Sequence, residues 1–328
     1  MMSPTLYTAI WILCCLVPSR GGFFSNLPGF KKFKNCVNPS RECPNPNITF
    51  HLYTRITDDY VLNYSSTESL KQAPFITNAS IKLLIHGYTG HKNYSPNTEL
   101  RPEYLKYQDL NVISVDYKEL VQPPCYVQAV YNVPLVGKCT NKFLQKLFRV
   151  REDLKLFHLH VIGFSLGAQV AGHVGRLMNS SIERVTGLDP ASPMFSEFWF
   201  NNEVLDKSDA KFVDVLHTNI GLKGKISPLG HLDFYANNGC KQPGCTDTSC
   251  SHVRAVEYFA ESINTKKPFM AVKCLSYVLY KLGWCKPSDT SPLIVFGEHV
   301  DKTEKGVYYF MTNEEPPFSQ GNETYYTK

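Results

Sequence analysis

One serine, Ser165, stands between a strand-like and a helix-like apolar segment. The run LHVI (159–162) leads into Gly163-Phe164-Ser165-Leu166-Gly167, and LGAQVAGHVGRLM (166–178) covers the residues that follow. A G-x-S-x-G turn between a strand and a helix exposes the serine hydroxyl, because the two glycines avoid clashes with neighbouring backbone. The helix start behind the serine offers amide N–H groups to an oxyanion. We therefore predict a nucleophilic serine, with an ordinary tight turn as the alternative.

The rest of the chain repeats this alternation of strand-like and helix-like segments. The strand-length runs are Ile81–Ile85, Val112–Val115, Leu159–Ile162 and Arg184–Leu188, with later candidates at Lys211–His217, His231–Tyr235 and Gly306–Thr312. The helical segments are Val133–Phe148, Leu166–Met178 and Ser251 to about Ile263. This pattern predicts an α/β fold, with a mostly parallel central sheet and helices on both faces. With 43% hydrophobic residues, the chain of 328 residues is expected to form one domain with a large core.

The N-terminal region predicts a secreted protein. Leu6–Val17 is an apolar run that is too short to span a membrane and typical of a signal-peptide core. We expect residues 1–20 to be a signal peptide and residues 21–328 to form the mature domain; a buried N-terminal segment is the alternative. No later apolar run reaches the roughly 18 residues of a transmembrane helix. Sequons for N-glycosylation suit an extracellular chain and occur at Asn47, Asn63, Asn78, Asn93, Asn179 and Asn322.

The charge argues against a nucleic-acid-binding protein, and the cysteine spacing argues against a zinc protein. The net charge of +5 is spread without long blocks and is too mild to indicate nucleic-acid binding. Of eleven cysteines, Cys14 and Cys15 fall in the predicted signal peptide, which leaves nine. In an oxidising compartment these are expected to form disulfides, and the chain has no CxxC pair or Cys/His spacing typical of zinc. Nine cannot all pair with one another, so at least one thiol is expected to be left over.

A serine nucleophile needs a base to take its proton and an acid to orient that base. Asp189 ends the next predicted strand in the sequence GLDP, at the sheet edge where Ser165 also emerges. A turn-forming aspartate before proline is the alternative. Among the later histidines, His252 opens a helix after Cys250, whereas His217 lies inside a strand pattern. The pattern favours His252 as the base and leaves His217 open.

Six segments together are similar to the pancreatic lipase family, in the order in which that family has them. They are IHGYTG (85–90), GFSLGAQVAGHVGR (163–176), GLDPASPMF (187–195), DAKFVDVLHTN (209–219), GHLDFYANNG (230–239) and QPGC…CSHVRAVEYF (242–259). The resemblance covers the chain from about residue 48 onward. It implies an α/β-hydrolase fold with the triad Ser165, Asp189 and His252, and a structural role for His217.

The resemblance also implies an oxyanion hole. The motif IHGY (85–88) resembles the family's first oxyanion loop, in which the backbone N–H of Tyr88 is one donor. The second donor would be the backbone N–H of Leu166.

Two departures from the large lipases bear on the substrate. The cysteines that correspond to the family's lid disulfide, Cys245 and Cys250, enclose four polar residues (246–249), too few to cover an apolar site. The chain ends at Lys328, so we expect a single domain without the family's C-terminal β-sandwich. Both features resemble insect and wasp-venom-type phospholipases A1. We therefore expect hydrolysis of the sn-1 ester of phospholipids, with triacylglycerol or galactolipid lipase as the alternative.

A non-catalytic lipid-binding or yolk-type protein on this fold is an alternative of another class. The implied mechanism needs no organic cofactor. The implied partner is an acyl lipid, most specifically a phospholipid, at a membrane or micelle surface, and the protein is expected to be a monomer. Asp206 and Asp209 correspond to positions where some family members hold a structural calcium ion. We favour a solvated loop there and predict no metal.

The resemblance divides the nine cysteines. Cys245–Cys250 would be the lid disulfide, and Cys274–Cys285 resembles another pair of the family. Cys36, Cys43, Cys125 and Cys139 are expected to form two bridges of open connectivity. Cys240 is then the predicted free thiol. The aromatic residues Phe195, Phe198, Trp199 and Phe200 are expected to pack in the core rather than against lipid.

Overall fold

The computed structural model describes residues 36–195, 204–288, 291–322 and 325, and these residues contain an eleven-stranded sheet. Its strands are β1 (Thr49–Tyr53), β2 (Tyr60–Val61), β3 (Ile81–Ile85), β4 (Asn111–Asp116), β5 (Leu159–Phe164), β6 (Arg184–Leu188), β7 (Phe212–His217), β8 (Leu232–Ala236), β9 (Met270–Lys273), β10 (Ile294–Val295) and β11 (Gly306–Phe310). Their order is β10-β9-β11-β8-β7-β6-β5-β3-β4-β1-β2. The strands from β4 to β11 in this order are parallel, and the two pairs of edge strands are antiparallel.

Helices cover both faces of the sheet. They are α1 (Thr67–Gln72), α2 (Asn97–Tyr107), α3 (Tyr126–Val150), α4 (Leu166–Leu177), α5 (Thr248–Asn264) and α6 (Tyr277–Lys281). Apolar residues of α3 and α4 pack on one face of the central strands. Apolar residues of α2 and α5 pack on the other. The central strands are buried on both faces, which explains their continuous apolar runs and confirms the prediction of an α/β-hydrolase fold.

The parallel register brings the predicted site residues to one edge. Ile85 pairs with Gly163, and Gly163 pairs with Gly187, so β3, β5 and β6 end side by side. Ligand sites of such sheets lie at the carboxyl ends of the strands. The loops after β3, β5 and β6 therefore meet at the edge that carries Ser165 and Asp189.

The sequence pattern missed elements that are short or polar. Helix α2 contains Pro102, which argues against a helix interior, and buries mainly Leu100 and Tyr104 on one side. Strand β1 pairs antiparallel with β4 on one side and with the two-residue edge strand β2 on the other. The structure contains no helix, within the described residues, that is long and apolar enough to cross a membrane. The predicted signal peptide and the aromatic residues Phe198, Trp199 and Phe200 lie outside the described residues, whereas Phe195 is buried in the core.

Four disulfides join described cysteines: Cys36–Cys125, Cys43–Cys139, Cys245–Cys250 and Cys274–Cys285. The first two tie the segment before β1 to helix α3. Cys240 is also disulfide-bonded, so the prediction of a free thiol there is wrong. That prediction counted nine cysteines, an odd number, after Cys14 and Cys15 had been set aside.

The two bonds to helix α3 should stabilise the fold non-additively. They close segments of 89 and 96 residues, but once one bond is closed the other closes a ring of roughly 20 residues. Replacing either cysteine pair by serine should therefore lower the free energy of unfolding by about 3 kcal/mol, and replacing both by about 8 kcal/mol. Denaturant unfolding measures both. Removal of Cys274–Cys285, which closes a short loop, is the control at about 3 kcal/mol. A double deletion equal to the sum of the single ones would contradict this account.

Candidate active site

Ser165 lies on a sharp turn between β5 and α4. Its backbone has φ 56° and ψ −119°, a conformation that costs of order 1–3 kcal/mol for a residue with a side chain. Two backbone hydrogen bonds hold the turn: the amide of Ser165 donates to the carbonyl of Leu188 at 2.9 Å, and the amide of Ala191 donates to the carbonyl of Ser165 at 3.1 Å. The side chain is half-buried at the start of the helix.

The two glycines around Ser165 are required by close contacts. A Cβ on Gly163 would lie 2.2 Å from the carbonyl oxygen of Gly167, and a Cβ on Gly167 would lie 2.3 Å from the carbonyl oxygen of Ile85. Neither backbone neighbour can give way easily. The helix after Ser165 therefore packs directly against the end of β3, as the G-x-S-x-G pattern predicts.

Asp189 follows β6 and is fully buried, yet its carboxylate is well supplied with donors. Its Oδ1 accepts hydrogen bonds from the amides of Thr218 at 2.9 Å and Asn219 at 3.0 Å. Both amides come from the segment directly after β7, the neighbouring parallel strand. Backbone donors of this kind stabilise the ionised form of a buried carboxyl group. Asp189 is thus held as an acceptor and is not the turn-forming aspartate of the alternative interpretation.

His252 lies against the second oxygen of this carboxylate. Its Nδ1 is 2.5 Å from Oδ2 of Asp189, and its ring packs over Phe164 with centroids 4.7 Å apart. A carboxylate only accepts hydrogen bonds, so Nδ1 carries the proton and Nε2 of the neutral ring is left to accept one. His252 lies in the first turns of α5, four residues after the helix begins, and is buried to 6% exposure.

His217, the other candidate base, is fully buried on β7 with both ring nitrogens engaged. Nδ1 faces the carbonyl of Lys225 and Nε2 faces Oδ1 of Asp233, each at 2.9 Å. Both ring nitrogens therefore have partners within the fold, and neither is free to take the proton of a serine. The ring also stacks on Tyr235, with centroids 4.2 Å apart. This geometry fits the structural role that the sequence resemblance implies for His217.

The loop after β3 runs directly beside Ser165. A Cβ on Gly87 would lie 2.9 Å from the Cβ and 3.4 Å from the Oγ of Ser165. Tyr88, the next residue, is half-buried with its ring edge-on to Tyr126 at 5.1 Å. Leu166 is the first residue of α4, so its amide has no acceptor within the helix. The backbone amides of Tyr88 and Leu166 thus flank the serine from two elements.

The side chain of His86 holds this loop, a role that the sequence motif did not indicate. Its fully buried ring donates from Nδ1 to the carbonyl of Gly87 at 2.9 Å, and Nε2 accepts from the amide of Tyr117 at 3.2 Å. The ring stacks on the Tyr117 ring at 4.1 Å, and the Tyr117 hydroxyl donates to the carbonyl of His86. The Gly87 carbonyl and the Tyr88 N–H belong to the same planar peptide group. The amide of Gly90 also donates to this carbonyl, at 3.1 Å, so His86 and Gly90 together fix the direction in which the Tyr88 N–H points.

Gln242 also links the site and was missed. Its side-chain amide donates to the carbonyl of Thr218 at 3.0 Å, and its backbone N–H donates to Oγ of Ser251 at 3.1 Å. Thr218 donates to Asp189, and Ser251 precedes His252. Gln242 therefore ties the acid's backbone donors to the helix that carries the histidine. Gln242 is the first residue of the segment QPGC (242–245), whose resemblance to the family gave no role for its side chain.

The loop after β7 closes over Asp189. A Cβ on Gly224 would lie 2.3 Å from Oδ1 of Asp189, so the absence of a side chain there lets the loop pack on the carboxylate. Lys223 donates from Nζ to Oγ of Ser249 at 2.7 Å and so joins this loop to the Cys245–Cys250 segment. Burial lowers the pKa of Lys223, and the nearby carboxylates of Asp247 and Asp189 act in the opposite direction.

Asp206 and Asp209, the residues weighed as calcium ligands, form a capping box at the start of a short helical turn (Lys207–Asp209). The carboxylate of Asp206 accepts from the amide of Ser208 at 2.6 Å, and that of Asp209 accepts from the amide of Asp206 at 3.0 Å. Asp209 is fully buried, pairs with Arg176 at 3.1 Å and has a pKa raised by burial to about 7, so the solvated-loop expectation is wrong for this residue. Within the described ranges, no group of three or more His, Cys, Asp or Glu side chains could hold a metal ion.

Replacing Gly224 should break the contact between Asp189 and His252. In Gly224→Ala the new methyl group meets the carboxylate, which must move away from the imidazole. We expect loss of the downfield proton resonance of the His252 Nδ1–H by nuclear magnetic resonance. Gly221→Ala in the same loop is the matched control, because its Cβ meets nothing closer than 3.8 Å, although its φ of +76° adds backbone strain. The account is contradicted if both variants keep the resonance or both lose it.

Comparison with known proteins agrees with this geometry. A family model described as Lipase matches residues 19–318. Pancreatic lipase-related protein 2 of Cavia porcellus is 33% identical over 266 residues, with 78% of this chain and 60% of that protein covered. Pancreatic triacylglycerol lipase of Ictidomys tridecemlineatus is 31% identical, with 84% and 65% covered, and Lipase member H of Danio rerio is 33% identical, with 81% and 62% covered.

The chain thus spans less than two thirds of the length of these relatives. The family match itself covers most of the chain and confirms the resemblance to pancreatic lipases that the sequence motifs predicted. From its motifs, its fold and this match, the chain belongs to the lipase family.

Proposed function

We propose that this protein is a secreted serine hydrolase that cleaves carboxylic esters of lipids, and specifically a phospholipase A1. The observation that carries the proposal is the hydrogen bond from His252 to a buried Asp189, beside a serine on a strained strand–helix turn. This arrangement combines a base that is oriented by a carboxylate with a half-buried serine that can act as the nucleophile. It also argues against a non-catalytic lipid-binding protein, which would have no need of such a turn.

The proposed mechanism has two stages. His252, oriented by Asp189, takes the proton of Ser165 as the hydroxyl oxygen attacks the ester carbonyl. The amides of Tyr88 and Leu166 stabilise the oxyanion, and the protonated His252 gives its proton to the departing alcohol, a lysolipid. Water activated by His252 then releases the fatty acid from the acyl-enzyme. No organic cofactor enters these steps.

The preference for phospholipid rests on the Cys245–Cys250 segment. Helix α5 already begins at Thr248, so only Thr246 and Asp247 lie between Cys245 and the helix. Asp247 caps that helix by accepting from the amides of Ser249 and Cys250. Such a segment has no apolar surface to lay over a triacylglycerol, and a polar head group is tolerated at an open site. Triacylglycerol hydrolysis is the second candidate, because one of these relatives is named pancreatic triacylglycerol lipase.

The proposed secretion is supported by the disulfides and by the exposure of the glycosylation sequons. Four disulfides in the described residues fit an oxidising compartment. Five of the six sequon asparagines are exposed, at Asn63, Asn78, Asn93, Asn179 and Asn322. That the protein acts as a monomer stays a prediction.

One assay tests the proposed reaction. Purified protein is incubated with phosphatidylcholine carrying a labelled sn-1 chain, with triacylglycerol and with galactolipid, beside Ser165→Ala. We expect release of the sn-1 fatty acid and a loss of about 10⁴-fold or more in the variant, because the serine supplies the covalent step. Release from triacylglycerol alone would overturn the phospholipase assignment. No release from any substrate would overturn the enzyme assignment.

A second experiment tests the oxyanion loop through His86. The amide nitrogen of an asparagine side chain reaches about as far as Nδ1 of histidine, whereas that of glutamine reaches about as far as Nε2. His86→Asn should therefore keep the bond to the Gly87 carbonyl, and His86→Gln should lose it. Since losing one oxyanion donor costs about 10²–10³ in rate, we expect His86→Gln to lower kcat on a soluble short-chain ester by about 10-fold or more with little change in KM.

His86→Asn is the matched control and should recover most of that kcat. Thermal unfolding of both variants separates a folding defect from a catalytic one. Equal losses of kcat in both variants, or a change confined to KM, would show that His86 does not orient the Tyr88 amide.

A further inference from the structure

An exposed apolar group stands on the Cys274–Cys285 loop, the segment closed by that disulfide. Leu275 is 85% exposed, Leu282 is 59% exposed and Trp284 is 73% exposed. Large apolar side chains grouped in this way mark an interaction surface rather than ordinary scattered exposure. The catalytic mechanism uses none of them.

The loop is a packed scaffold and presents these side chains in a fixed arrangement. Helix α6 lies within it and is capped by Ser276, whose hydroxyl accepts from the amide of Leu279. Tyr277 and Cys274 are buried against Tyr235 and Tyr309. The Tyr280 ring stacks on Tyr309 with centroids 5.3 Å apart. One side of the loop is thus anchored to the sheet, and the opposite side carries the leucines and Trp284.

The stretch of chain from residue 265 to residue 288, which ends one position before Asp289, carries charge of one sign. Residues 265–288 contain five lysines and no aspartate or glutamate, so this short stretch carries as much net charge as the whole chain, +5. Lys281 and Lys286 are exposed and flank Leu282 and Trp284 in sequence. Apolar and indole side chains bordered by lysine are the composition of segments that insert at the surface of anionic bilayers.

The loop begins beside the amino half of β11, where the amide of Cys274 donates to the carbonyl of Val307 at 3.1 Å, and it reaches the active-site edge of the sheet at Met311. Met311 directly follows β11, which is parallel to β8, so it lies at the carboxyl edge like Ser165 and Asp189. It lines one cavity of about 660 Å³ together with Leu282 and Cys285. It also lines a neighbouring cavity of about 530 Å³ together with Cys245 and Thr246. The Cys274–Cys285 loop and the short Cys245–Cys250 segment therefore lie on two sides of Met311.

We infer that the Cys274–Cys285 loop is the surface by which this protein docks on an anionic phospholipid bilayer. Trp284 and Leu282 enter the boundary between head groups and acyl chains, and Lys281 and Lys286 contact the lipid phosphates. Because Cys245–Cys250 is too short to supply an apolar surface, this loop takes over the task of holding the active-site edge against lipid. The inference rests on the proposed lipid substrate, and its test separates docking from hydrolysis.

The test measures vesicle binding in the Ser165→Ala background, so that the lipid is not consumed. Co-sedimentation is measured with vesicles containing phosphatidylglycerol and with vesicles of phosphatidylcholine alone. We expect Leu282→Ser with Trp284→Ser to weaken binding to the anionic vesicles about 10-fold or more. Lys281→Gln with Lys286→Gln should weaken it severalfold and remove the preference for anionic lipid.

Phe157→Ser is the matched control. Phe157 is 58% exposed and lies in the short helical turn Leu156–His158 before β5, at the opposite end of the strands from Ser165, so its loss should leave vesicle binding unchanged. With Ser165 intact, the apolar variant should keep its rate on a soluble short-chain ester and lose rate on vesicles. Thermal unfolding checks that all variants are folded.

Each failure has a distinct signature. Unchanged vesicle binding in the Leu282→Ser, Trp284→Ser variant would overturn the docking surface, as would equal weakening in Phe157→Ser or equal affinity of the parent for both vesicle types. A parent protein that binds anionic vesicles through this loop but hydrolyses no ester would retain the docking surface and overturn the proposed function.

Discussion

The site depends on a carboxylate held in the interior. Asp189 has no exposed surface, and burying an ionised group is costly unless hydrogen bonds satisfy it. Its donors come from two directions: the amides of Thr218 and Asn219 after β7, and the imidazole of His252 on α5. The parallel strands β5, β6 and β7 lie side by side in the sheet and bring these groups together, so the strand order of the fold positions the site.

This constraint extends through the contacts around it. Gln242 joins the segment of Thr218 to the start of α5, and Gly224 leaves room for a loop to close over the carboxylate. On the other side of Ser165, His86 fixes the peptide that carries the Tyr88 amide. The nucleophile is held by its own strained turn, and the proposed base, acid and oxyanion donors are each held by a neighbour that takes no direct part in the reaction.

Local sequence signals predict the central strands and Ser165, because a strand, a G-x-S-x-G turn and a helix occur in one continuous segment. They also predict Asp189, since it ends the next strand. They do not separate His252 from His217, because the difference lies in partners distant in sequence: both nitrogens of His217 face acceptors, at Lys225 and Asp233. The resemblance to a family supplied what the pattern lacked. Gly224, Gln242 and His86 were missed because their roles rest on contacts between separate loops, and the disulfide of Cys240 was missed because the sequence resemblance offered no partner for it.

The short Cys245–Cys250 segment and the exposed Cys274–Cys285 loop suggest a division of tasks at one edge of the sheet. The Cys245–Cys250 segment is too short to cover the nucleophile, and it anchors the helix of His252 through the cap at Asp247. The second carries the exposed apolar and basic side chains that we propose contact a lipid surface. In this account the site does not need a mobile apolar cover, since the bilayer itself excludes water from the bound ester.

The most direct measurement of the central claim is covalent labelling by a fluorophosphonate, with the modified residue identified by mass spectrometry. A serine activated by the Asp189–His252 pair should be labelled in the folded protein at one equivalent, on Ser165, and the labelling should disappear in His252→Ala while His217→Ala, if folded, retains it. Labelling at another serine, or labelling of Ser165 that persists in His252→Ala, would contradict the account.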